Sequence, residues 1–180
     1  NVITPELFKN WDYCYLEGYL IANKNLFKKV IHTAKECGCK VILDLASYNL
    51  VEDNREFLNE LLPNINIIFA NEEEAKALTN DSAEASLEYI AQHTDIAVVK
   101  IGKKGSLIKR GEEVVKIGCN KVDVVDTTGA GDMYAAGFLY GLINDYDLER
   151  CGTIGNHLAE SIIQVIGAKM DENRWKMFKK

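Results

Sequence analysis

Asp126-Thr127-Thr128-Gly129-Ala130-Gly131-Asp132 lies where a strand-like run, residues 121–125, gives way to a helical one, residues 133–143. A helix N-terminus preceded by small residues leaves backbone N–H groups pointing outward, an arrangement suited to phosphate oxygens. An Asp in the first helical turn then stands beside that anion site and can take a proton from an attacking hydroxyl. This is the minimum equipment for phosphoryl transfer to an alcohol. The same residues also suit a plain turn, since glycine tolerates positive φ and Asp complements the helix dipole.

Strand and helix patterns alternate on the amino-terminal side of this stretch. Residues 12–18, 41–43 and 65–69 read as strands. Residues 25–37, 51–62, 71–78 and 83–93 carry the helical period. Thr4-Pro5-Glu6 reads as a cap opening a short helix. After Asp95 the texture changes to strands at 96–101, 106–109 and 113–117, with turns at 102–105 and 111–112. Helices at 130–143, 148–166 and 172–178 close the chain. Alternation of this kind predicts an α/β fold with a mainly parallel sheet and helices on both faces. Ligands of such sheets bind beyond the carboxyl ends of the strands. Asp44, Asn71, Gly102 and residues 126–132 all fall there.

The full string resembles the DTxGAGD signature of the ribokinase (PfkB) family of carbohydrate and nucleoside kinases. The resemblance implies a three-layer αβα ribokinase-like fold and an ATP-dependent kinase acting on a hydroxymethyl group of a sugar or nucleoside. Asp132 would be the catalytic base, and the amides of Gly129, Ala130 and Gly131 the anion hole. Asn71 to Glu74 resembles the family's NxxE motif. Positions i and i+3 share a helix face, so Asn71 and Glu74 would address a Mg2+ ion with its waters; the plain alternative is an acidic first turn. Lys100-Ile101-Gly102-Lys103-Lys104-Gly105 resembles the segment lining the ATP site, so Lys100, Gly102, Lys103 and Gly105 are candidate nucleotide contacts, or simply a solvated hairpin. Asn156 would edge the adenine pocket. Gly167-Ala168 matches the family's terminal GA, and Asp126 with Gly167 would hold a monovalent cation such as K+. The stretch Glu17 to Leu20 and the run Asp44 to Asn49 look most like bacterial adenosine-kinase-like members.

Family members are longer, and their amino-terminal part with its lid has no counterpart here. The chain is therefore expected to be one domain, 1–180, from the C-terminal portion of a kinase. A homodimer would form through the absent lid. A second reading is a nucleotide-binding fragment or regulatory module without turnover. A Rossmann oxidoreductase is disfavoured, because no GxGxxG follows an early strand.

Composition agrees with these expectations. A chain of 180 residues, 47% hydrophobic, can bury a single core. A net charge of -6 argues against nucleic acid, and Lys176, Lys179 and Lys180 read as a solvated helix face. The absence of an apolar run of membrane-spanning length or a signal peptide predicts a cytoplasmic protein with no membrane partner. Five cysteines without a CxxC pair read as free thiols. His32, His93 and His157 read as helix-face residues, and Trp11, Tyr13, Tyr15 and Tyr19 as packing for the first strand.

Overall fold

Strand β2 (Lys40–Asp44) shows why the parallel sheet forms. Its run Val41-Ile42-Leu43 is buried without alternation, the mark of a strand covered on both faces. β3 (Ile67–Asn71) and β4 (Ile96–Lys100) share that pattern. β1 (Tyr13–Glu17) pairs parallel with β2, β2 with β3, and β3 with β4. The register sets Glu17 beside Asp44, and Asn71 beside Lys100. Two further strands, β5 (Ser106–Arg110) and β6 (Glu113–Ile117), complete a six-stranded sheet in the order β1 to β6. Their connections are too short for a crossover, so these two run antiparallel to their neighbours. The result is the expected αβα architecture, with a mostly parallel mixed sheet and helices around it.

This is a computed structural model that describes residues 2–170. The helix expected at 172–178 and the carboxyl-terminal lysines lie outside the described residues. The chain divides into two compact units. One comprises the residues up to Lys100 with Leu107–Val114; the other comprises Ile101–Ser106 with the chain from Val115 onward.

In the first unit α1 (Lys24–Glu36) buries Phe27, Ile31 and Ala34 on one face. Asn23 caps it by accepting from the Leu26 amide at 3.0 Å. The helix expected at 51–62 is broken into α2 (Tyr48–Asp53) and α3 (Arg55–Leu61). Asn54 causes the break: it leaves the helical region, and its Nδ2 donates to the Leu50 carbonyl at 2.9 Å. α4 (Glu72–Thr79) and α5 (Ala83–Ala91) follow as expected. Gly18 explains part of the Glu17 to Leu20 stretch, because a Cβ there would run into the Leu45 carbonyl group and stand 3.0 Å from the Asp44 carbonyl oxygen. The aromatic expectation needs correcting. Trp11, Tyr15 and Tyr19 are exposed rather than packed, and β1 is an edge strand of the sheet.

In the second unit α6 (Ala130–Ile143) and α7 (Leu148–Ile162) lie with their backbones almost touching. A Cβ on Gly137 would stand 2.9 Å from the Gly155 Cα, and one on Gly155 would stand 2.9 Å from the Tyr134 carbonyl oxygen. The strand-like run at 121–125 forms no strand. Its amide groups turn elsewhere: Val125 and Asp126 both donate to the Ile163 carbonyl, at 2.8 and 3.2 Å. That carbonyl is thereby used at the point where α7 stops, short of the expected residue 166. Val124 and Val125 stay largely exposed. All five cysteines are free thiols.

Candidate active site

The loop of the second unit is built from its first carboxylate. Asp126 Oδ1 accepts from the Thr128 amide at 2.9 Å and from the Thr128 hydroxyl at 2.7 Å. Its Oδ2 accepts from the Gly167 amide at 2.8 Å. These donors, the Thr128 amide foremost, hold the Asp126 carboxyl below its ordinary value of 3.8. Oδ1 is thus spent within the loop, while Oδ2 ties the loop to the turn after α7.

Gly129 caps α6 in the left-handed region, at φ 79°. A Cβ there would also come within 2.9 Å of the Ala168 Cβ. Glycine is required on both counts. Ala130, one of the three expected anion-hole donors, instead gives its N–H to the Thr127 carbonyl at 3.1 Å, closing the turn. Among the described residues, the amides of Gly129, Gly131 and Asp132 have no hydrogen-bond acceptor. Asp132 itself is exposed in the first turn of α6, and its carboxylate carries no ion pair among the described residues. Three open amides, a positive helix end and a carboxylate therefore share one turn.

The other candidates of this unit divide. Gly102 and Gly105 adopt positive φ, 56° and 98°, and a Cβ on Gly105 would collide with the Ile117 carbonyl oxygen. Lys103 is exposed on that turn. Asn156 is buried and spends its Nδ2 on the Gly118 carbonyl at 3.0 Å, so its amide braces the 118–120 segment. The sequence reading missed Glu160, one helical turn further on. Its carboxylate accepts from the Asn120 amide at 2.6 Å and from Asn120 Nδ2 at 3.0 Å. A polar pair at i and i+4 on an otherwise apolar helix face was the available signal.

In the first unit Asp44, Asn71 and Lys100 end β2, β3 and β4. Asn71 and Glu74 form a reciprocal capping box. Asn71 Oδ1 accepts from the Glu74 amide at 2.8 Å. Glu74 in turn accepts from the Asn71 amide at 2.8 Å and from Asn71 Nδ2 at 2.7 Å. Glu74 is buried, and burial pushes its carboxyl above the ordinary 4.5 against the opposing pull of the Asn71 amide and Lys100. Lys100 does not stand free as a phosphate ligand, because its Nζ pairs with Asp44 Oδ2 at 2.9 Å in a largely buried ion pair. No group of three or more His, Cys, Asp or Glu side chains able to hold a metal gathers among the described residues. No helix among them is long and apolar enough to cross a membrane.

Residues 2–174 match the pfkB family carbohydrate kinase. The chain belongs to that family. It is 33% identical over 128 residues to a nucleoside kinase of Methanocaldococcus jannaschii, covering 71% of this chain and 42% of that protein. It is 31% identical over 189 residues to an adenosine kinase of Saccharomyces cerevisiae, covering 93% of this chain and 56% of the relative. The crystal structure of adenosine kinase from Sinorhizobium meliloti superposes with a TM-score of 0.89 at 32% identity, over 98% of this chain and 56% of that one. The chain thus spans about half the length of the pfkB relatives it matches.

Asp126 offers a direct check on the loop. Its depressed carboxyl stabilises the fold in full above its unfolded value near 3.8, and that contribution is lost as pH falls through the lower folded-state value. Asp126→Asn removes the titration. Denaturation of both proteins across acid pH is expected to show a stability gap that is constant above about pH 5 and closes below it. A gap that widens in acid would contradict the hydrogen bonds described.

Proposed function

We propose that this chain forms the nucleotide-binding and phosphoryl-transfer part of a kinase that uses ATP to phosphorylate a hydroxymethyl group of a sugar or nucleoside. One observation carries the reading: the open amides of Gly129, Gly131 and Asp132 at the start of α6, with the Asp132 carboxylate in the same turn. Phosphoryl transfer needs positioning and electrostatic stabilisation more than covalent chemistry, and this turn supplies both. The amides receive charge that develops on the transferred phosphoryl group. Asp132 orients the acceptor hydroxyl and accepts its proton as the oxygen attacks. Asp126 and Gly167 keep the amides aimed, and the Gly102 to Gly105 turn allows close approach of a nucleotide.

The residues present fit magnesium in one mode. Each Glu74 oxygen accepts one bond from Asn71 and retains a lone pair, which suits contact through the waters that magnesium usually keeps. When bound with the nucleotide, the ion would supply charge neutralisation at the phosphates. By the same count, Asp126 Oδ1 accepts two bonds, while Oδ2 accepts one and retains a lone pair that a monovalent cation could use.

A second reading follows from coverage: spanning about half of its relatives, the chain alone would bind nucleotide without turnover. Both are tested by incubating the intact protein and this 180-residue chain with radiolabelled ATP, Mg2+ and a panel of nucleosides and sugars. Labelled phosphate ester from the intact protein is the expected result. A nucleotide-dependent heat of binding without product from the short chain would support the second reading for the chain alone. No product and no nucleotide binding from either would overturn the proposal.

A further inference from the structure

Asp44 has no part in the steps above, yet it is 5% exposed and its carboxylate is committed to Lys100. β3 separates β2 from β4, so this ion pair reaches across the end of a strand lying between its two members. Asn71 ends that middle strand, stands opposite Lys100 in the register, and holds both oxygens of Glu74. Lys100 and Glu74 thus flank the same residue, Asn71, one through the register and the other through its hydrogen bonds, while Asp44 takes the lysine's contact.

A lysine is a compact charge on a flexible stem, and it moves readily to another acceptor. A buried ammonium without a partner is strongly unfavourable. With Asp44 gone, the nearby carboxylate of Glu74 is the acceptor Lys100 would turn to. We propose that Asp44 is a positioning residue: it draws Lys100 aside and so leaves the charge of Glu74 available to a magnesium–nucleotide. The proposal rests on the kinase reading given above. It gives Lys100 a role opposite to that of a phosphate ligand, since the lysine becomes a competitor that must be held back.

The test is the Mg2+ concentration that half-saturates ADP binding to the intact protein, read by calorimetry, alongside each variant's melting temperature. Asp44→Asn should raise the half-saturating Mg2+ by about tenfold, the low end of what outer-sphere changes cost a metal site. Lys100→Met should lower it, because the competitor is gone and Asp44 adds negative charge. Both changes break the same buried ion pair, so both should lower the melting temperature. A purely structural role would move the Mg2+ requirement the same way in both. The Asp44→Asn/Lys100→Met pair should return it close to the wild-type value.

Should a single variant fail to fold, Asp44→Glu, which keeps the charge, and the double variant carry the test, and both should bind with near-wild-type Mg2+ dependence. Single variants that shift in the same direction or not at all, or a tenfold shift in Asp44→Glu, would overturn the assignment of Asp44 and leave the kinase reading standing. Wild-type protein that binds no magnesium nucleotide would overturn both.

Discussion

Asp132→Asn in the intact protein is expected to lower kcat by roughly 10²–10⁴-fold, the range a positioned general base contributes. Asparagine keeps the shape and the helix-start position but cannot accept the proton. Asp132 is exposed and makes no ion pair among the described residues, so its replacement leaves no buried partner stranded. Stability should therefore change little, and nucleotide affinity measured by calorimetry should stay within a few-fold of wild type. The decisive comparison is kcat against the nucleotide dissociation constant in one preparation. A variant with near-normal turnover would remove Asp132 from the chemistry. One that lost nucleotide binding in proportion to turnover would make it a binding residue instead.

Gly129→Ala is expected to act on the amides rather than the base. The substitution places a Cβ at φ 79°, a region L-residues avoid, and drives it to 2.9 Å from the Ala168 Cβ. Relief of either strain rotates the turn that aims the Gly129 and Gly131 amides. Loss of one such donor costs roughly 10²–10³-fold in kcat, and misaligning two should cost at least the lower figure. The accompanying loss of stability is about 1–3 kcal/mol, typical of a forced contact and an unfavourable backbone region. Adding Ala168→Gly removes the steric part alone, so the double variant should recover some stability and little activity. Full recovery of kcat in the double variant would show that crowding, not the left-handed backbone, is what Gly129 avoids.

The central strands and most helices were legible because their residues make the same demand at every scale. Val41-Ile42-Leu43 is apolar without alternation, and only a strand covered on both faces satisfies it. Leu26, Phe27, Val30, Ile31 and Ala34 repeat at the helical period, and α1 follows. Where the reading failed, a competing acceptor or donor had intervened. Asn54 broke one expected helix by bonding its own backbone, and the Ile163 carbonyl took the amides that would have extended 121–125 as a strand. Neither rival is visible in periodicity.

Within the candidate site the division is similar. The glycines and carboxylates of residues 126–132 announce a helix start with open amides, because local backbone chemistry decides where such groups can be. That was determined by the chain's own order of residues, as was the parallel sheet with polar residues at its strand ends. The chemical commitments of individual side chains were not. Only the tertiary structure decided that Asp126 staples the turn to Gly167, that Asn156 and Glu160 brace the 118–120 segment, and that Lys100 belongs to Asp44. Helix and strand periods arise from neighbours along the chain. A hydrogen-bond donor's choice of acceptor depends on groups tens of residues away, brought within 3 Å by packing that no local pattern records.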